Sequence, residues 1–138
     1  MEIETKTIRQ SVEFGAPPHE VYEALMDSEK HSAFTGDEAE ISREVGGRFY
    51  AYNGYIEGTN VELQPDTKIV QRWRSDGWPE GHYSIVTFEL KKTRGGTKLS
   101  FTQEGVPDDD YESRSEGWVD QYWDRMKDFL GKGRSGPE

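Results

Sequence analysis

The stretch Asp109–Leu130, DDYESRSEGWVDQYWDRMKDFL, decides how the rest of the chain must be arranged. Its apolar residues Trp118, Val119, Tyr122, Trp123, Met126, Phe129 and Leu130 recur at the spacing of one broad face of an α-helix. Asp109 with Glu112, and Ser113 with Glu116, each have the form of a capping box, so the helix is expected to start at one of the two. Asp108, Asp109 and Asp110 suit the positive end of its dipole. Gly131 is expected to end it, leaving 132–138 as a flexible polar tail. A helix over 109–130 is about 33 Å long, enough to cross a whole β-sheet.

Upstream, the period changes from helical to alternating. Ile8, Val12 and Phe14 fall on the even positions of a strand over Thr5–Phe14. Ala16-Pro17-Pro18 closes it and opens a short amphipathic helix, Pro18–Met26, with a second helical piece over Ser28–Phe34. Strands follow. Ala39, Ile41 and Val45 are expected on one face, and Arg48–Asn53 alternates Phe49 and Ala51 against Tyr50 and Tyr52. Tyr55–Leu63 is read with Tyr55, Thr59, Val61 and Leu63 on its apolar face. Lys68–Ser75, His82–Lys92 and Lys98–Glu104 complete the set, joined by turns rich in Gly, Pro and Asp. Such short joints predict antiparallel hairpins rather than crossovers. The fold class is therefore α+β: a curved antiparallel sheet with one apolar face, covered by the only element long enough to cover it. A single domain over 1–131 is expected.

Composition excludes several functions. The chain has 138 residues, with 27 acidic and 17 basic side chains and a net charge of −10. That sign argues against nucleic acid and against an anionic membrane surface, both of which need a dominant basic face. No apolar run is long enough to span a bilayer, and Met1-Glu2-Ile3-Glu4 is not the start of a signal peptide, so a cytoplasmic protein is expected. Cysteine is absent, which removes disulfides, thiol nucleophiles and thiolate-bound zinc. Leu, Ile, Val and Phe make up under a fifth of the chain, a composition bordering on that of disordered proteins. Four Trp, seven Tyr and six Phe supply the missing core, which should be aromatic-heavy.

Enzymatic motifs are missing from the pattern. His19, His31 and His82 have no metal-ligand spacing, Gly46-Gly47 and Gly95-Gly96 are turn pairs rather than phosphate loops, and no nucleophile elbow occurs. Contiguous Asp108-Asp109-Asp110 fits a helix start better than a cation site. No catalytic residue, metal ligand or cofactor site is assigned, and the protein is read as non-enzymatic. Two features stand out. Trp118, Tyr122 and Trp123 of the helix face Trp73, Phe88 and Phe101 of the sheet, either as plain core or as the walls of an apolar cavity. The loop Trp78-Pro79-Glu80-Gly81-His82 offers a tryptophan either as a partner anchor or folded back on its own domain.

These residues also carry a family likeness. In order along the chain stand Trp73-Arg74, Trp78-Pro79-Glu80-Gly81-His82, Gly96-Thr97-Lys98-Leu99, Gly105-Val106-Pro107 and Glu116-Gly117-Trp118. Upstream come Tyr22, Ala33-Phe34-Thr35, Gly46-Gly47-Arg48-Phe49 and Gly58. From about Thr5 to Gly131 the chain resembles the C-terminal domain of the activator of Hsp90 ATPase. The resemblance implies the helix-grip fold of the START-like (SRPBCC) superfamily, with two short helices, six or seven antiparallel strands and a long C-terminal helix. It implies an Hsp90-type chaperone as partner, with 78–82 as the candidate docking loop. It also implies an alternative, a carrier or sensor of an apolar small molecule held beneath the helix by Trp73, Phe88, Phe101, Trp118, Tyr122 and Trp123.

Overall fold

A computed structural model describes residues 4–134. Strand β1 (Thr5–Phe14) leads into α1 (Pro18–Met26) and α2 (Ser28–Thr35). Asp27 caps α2 by accepting from the Lys30 amide at 3.0 Å, and Gly36 at φ +82° ends it in the left-handed conformation. Six strands follow: β2 (Glu40–Ile41), β3 (Arg48–Ala51), β4 (Ile56–Gln64), β5 (Lys68–Ser75), β6 (Ser84–Thr93) and β7 (Gly96–Pro107). They form one antiparallel sheet in the order β1-β7-β6-β5-β4-β3-β2, so only the first strand crosses the molecule to pair with the last. The helix α3 (Tyr111–Gly117) passes through a π-helical turn, Trp118–Trp123, into α4 (Asp124–Arg134). The expected architecture is present: two short helices, seven strands and a long C-terminal helix over the sheet.

The core between helix and sheet is built from rings, as the composition requires. Trp118 lies 4.4 Å from Phe101, 4.5 Å from Tyr122 and 5.6 Å from both Trp73 and Trp123, centroid to centroid. Phe88 completes the cluster at 5.4 Å from Phe101. A buried polar ladder ties it to the backbone. Trp118 Nε1 donates to Gln103 Oε1 at 2.7 Å, Gln103 Nε2 to Ser84 Oγ at 2.9 Å, and Ser84 Oγ to the Trp73 carbonyl at 2.9 Å. Each buried polar atom in that line has its partner, which lets amides and hydroxyls sit among aromatics.

Several expectations are corrected. On β4 the buried face is Ile56, Gly58 and Asn60, not Tyr55, Thr59 and Val61, and Val61 is 45% exposed. The cause is a bulge: Asn60 pairs with Gln71 but Glu62 with Val70, so Val61 is an extra residue and the face changes there. Leu63, beyond the bulge, returns to the core side as expected. Val45 lies in the turn after β2 and is 63% exposed. Neither capping box forms. A short 3₁₀ turn, Asp108–Asp110, precedes α3, and the Asp110 side chain makes no cap because Trp78 and Arg114 hold its carboxylate. Inside the π turn the Asp124 amide reaches back to the Val119 carbonyl, and the added residue puts Val119, expected in the apolar stripe, on the outside. Gly131 does not stop α4, which runs on to Arg134, as a lone glycine costs a helix only about 1 kcal/mol. The rest of the expected tail, 135–138, lies outside the described residues.

Candidate functional site

At one end of the aromatic core the sheet and helix part. The connection from β3 to β4 turns through three consecutive left-handed residues, Tyr52 (φ +53°), Asn53 (φ +59°) and Gly54 (φ +97°). Glycine adopts this freely, whereas a tyrosine there is strained and must be held. It is held on all sides. The Asn53 side chain accepts from the Glu38 amide at 2.9 Å and donates to Asp37 at 3.2 Å, and the Asn53 amide donates to the Glu38 carbonyl. The Tyr52 hydroxyl donates at 2.9 Å to the carbonyl of Gln121, inside the π turn.

Beneath that bridge is an open cleft of about 410 Å³. Tyr52, Tyr55, Trp73, Trp118 and Tyr122 form its aromatic walls, and Arg114 and Asp37 are its charged groups. Arg114 donates to Asp110 at 3.1 Å while its guanidinium lies 6.0 Å from the rings of Tyr55 and Trp73. Deeper under the helix the space almost vanishes. The gap bounded by Leu25, His31, Phe88, Trp118 and Tyr122 holds about 20 Å³, room for roughly one water. Of the six residues expected to line a cavity, Trp73, Trp118 and Tyr122 face the cleft, Phe88 borders the small gap, and Phe101 and Trp123 are packed in core.

A buried pair lies between cleft and gap. His31 Nδ1 meets the Leu25 carbonyl at 3.2 Å, so that nitrogen carries the proton and donates. Nε2 then accepts from the Tyr122 hydroxyl at 3.0 Å. Burial pushes His31 down to about 4, against a weaker opposing effect of the Leu25 hydrogen bond. Burial also drives the Tyr122 hydroxyl well up, and Tyr52 to about 12, so all three are neutral near pH 7. No charge is delivered to the cleft by any of them.

The candidate docking loop has a different geometry from an exposed anchor. Trp78 is folded back on its own domain, 8% exposed, its ring 5.5 Å from Trp73 and its Nε1 donating to Asp110 at 2.8 Å. An indole with both ring and N–H satisfied internally has little left for a partner. His82 Nε2 donates to the Gly105 carbonyl at 2.7 Å, and Arg74 donates to the Trp78 carbonyl at 2.7 Å. Pro79, Glu80 and Gly81 stay exposed at the tip. The strained bridge and the π turn were missed in the sequence; only Tyr52-Asn53-Gly54, with its turn-forming Asn-Gly pair, hinted at the first.

Among the described residues no group of three or more His, Asp or Glu side chains is placed to hold a metal ion, and no helix is long and apolar enough to cross a membrane.

A family model described as Activator of Hsp90 ATPase homolog 1-like protein matches residues 15–131. An activator of 90 kDa heat shock protein ATPase homolog from Dictyostelium discoideum is 37% identical over 124 residues, 89% of this chain and 32% of the relative. The human activator homolog 1 is 31% identical over 133 residues, 96% of this chain and 39% of the relative. The chain thus spans 32% to 39% of the length of these curated relatives. The crystal structure of an HSP90 activator from Plasmodium falciparum superimposes with a TM-score of 0.83 at 27% identity, covering 92% of this chain and 96% of that one.

Proposed function

Since the chain belongs to the Activator of Hsp90 ATPase homolog 1-like family, we propose that it is a non-enzymatic, co-chaperone-like domain that binds an Hsp90-type chaperone in the cytoplasm. The match over 15–131, together with relatives named as activators rather than catalysts, carries the reading. The exposed tip Pro79–Gly81 is the part of the candidate loop available to a partner, and Trp78 serves to hold it in place. An amide NMR titration of the labelled protein with Hsp90 from its own source tests this. Localised shifts at micromolar ratios support it; a flat titration removes it.

A second reading, a carrier of an apolar small molecule, is favoured by the cleft of about 410 Å³. It moves the ligand from the packed space under the helix to the open end beneath Tyr52. Tryptophan fluorescence separates the two readings, because Trp73 and Trp118 line the cleft. An apolar small molecule added alone changes their emission under the second reading and leaves it unchanged under the first.

A further inference from the structure

The face of the sheet turned away from the helix mixes arginines with glutamates, where the chain as a whole carries a net charge of −10. Residues directly opposite on antiparallel strands share a face with Cβ atoms about 5 Å apart. Register places Arg48 beside Thr59, Thr59 beside Arg72, and Arg72 beside Ile85. The adjoining row runs Glu40, Tyr50, Glu57, Arg74. These two rows bring three guanidiniums together with Glu57, which is drawn to Arg74 at 3.7 Å, and with Glu40 at the sheet edge. Among the described residues Arg48 and Arg72 are in no ion pair; Glu104, the next carboxylate on the row, lies beyond Ile85. Arg72 is instead held over the ring of Tyr83, 4.2 Å from its centroid. A ring fixes a guanidinium without neutralising it, so the cation is presented rather than spent.

Three further observations give this face the character of an interface. Ile85 is 38% and Val61 45% exposed, apolar patches beside arginine and tyrosine, a composition enriched where proteins dock. An open groove of about 660 Å³, lined by Glu40, Ile41, Arg48, Phe49, Tyr50 and Glu57, runs along the sheet edge where β2 is only two residues long. Arg74 connects the face to the Trp78 loop through the Trp78 carbonyl. Across the sheet the C-terminal helix is more strongly acidic, with Glu112, Glu116, Asp120, Asp124 and Asp128 all exposed.

We infer that the outer sheet face centred on Arg48 and Arg72 docks an extended, acidic segment of the partner protein. The partner's identity as an Hsp90-type chaperone rests on the function proposed above; the acidic chemistry does not. The test compares the unchanged protein, R48E/R72E, and K30E/K127E on the exposed surface of the helices as a control of the same charge change, each checked for an unaltered thermal transition. With Hsp90 from the same source, R48E/R72E should lose on the order of tenfold in affinity and K30E/K127E should not. If the unchanged protein binds Hsp90 and R48E/R72E binds equally well, the face is overturned and the chaperone reading stands. If the unchanged protein does not bind Hsp90, a glutamate-rich peptide of about a dozen residues is titrated into the labelled protein. Shifts at the Arg48 and Arg72 side chains that disappear in salt sustain the face alone. Their absence, or a preference for an oligonucleotide, overturns it.

Discussion

Replacing Gln103 by leucine isolates the polar ladder that fixes the helix on the sheet. Gln103 is fully buried, and its Oε1 is the acceptor of the Trp118 indole N–H at 2.7 Å. Leucine removes that acceptor and leaves a donor stranded among rings, a loss of about 1–3 kcal/mol. Ser84 keeps its bond to the Trp73 carbonyl, so the damage stops at one donor. The change of shape from amide to branched alkyl adds up to about 1 kcal/mol. The expected total is about 1–4 kcal/mol, read as a shift in the urea midpoint at constant slope.

The partner substitution, Trp118→Phe, strands the Gln103 carbonyl oxygen and adds a cavity term. In the double variant Q103L/W118F neither polar atom remains to be left unpaired. The double variant should therefore be less destabilised than the sum of the singles by about 1–2 kcal/mol. A loss under about 0.5 kcal/mol for Q103L alone, or strict additivity of the pair, would show that the indole N–H finds another partner and refute the reasoning.

Three other outcomes follow from the same geometry. His31 stays neutral in the folded protein down to about 4, while an unfolded imidazole takes a proton near 6.5. Between those values the unfolded state binds more protons, so this contribution, about 3 kcal/mol, is complete above pH 6.5 and is lost as pH falls toward 4. His31→Gln should flatten that part of the stability–pH curve, as urea titrations at a series of pH values would show. Trp78→Phe keeps the ring on Trp73 and loses only the bond to Asp110, for about 1 kcal/mol, whereas Trp78→Ala should lose about 3 kcal/mol in the same assay. Gly58→Ala places a methyl 1.8 Å from the Arg72 carbonyl and 2.7 Å from the Phe49 ring. It should cost about 3 kcal/mol, measurable as a drop in the thermal midpoint; a neutral result would mean that β4 and β5 can separate.

The legible part of the fold was the part written in local periodicity. The alternation in β1 and β6 and the apolar stripe of the last helix are independent of tertiary partners, so they located β1 to the residue, β6 to within two residues and the helix to within four. Val61 and the π turn were illegible for one reason. An inserted residue leaves no mark in composition, and it is visible only as a change of phase against a neighbouring strand or core. Trp78 turned on a partner 32 positions away, Asp110, whose own local pattern placed it at the positive end of a helix dipole. A carboxylate that can serve two roles takes the one the packed structure offers, and no local rule ranks them. The aromatic residues of the candidate cavity were legible as a set, but how they divide between core and cleft depends on which rings interlock.

That division bears on function. The two irregular segments, the left-handed run at 52–54 and the π turn at 118–123, are joined by one hydrogen bond across the cleft, from Tyr52 to Gln121. A strained tyrosine costs on the order of 1–3 kcal/mol and is retained only where its surroundings over-determine it. Here the surroundings are the cleft itself, so the cleft is a shaped feature of the fold rather than a packing defect. It opens on the helix side, while Arg48 and Arg72 lie on the opposite face of the sheet. A ligand in the cleft and an acidic partner on the sheet would therefore bind without competing. Tyr52→Phe, which cuts only the bond to Gln121, should alter the first and leave the second untouched; R48E/R72E should do the reverse. A variant of either kind that moved both affinities together would mean that the sheet carries strain from one face to the other.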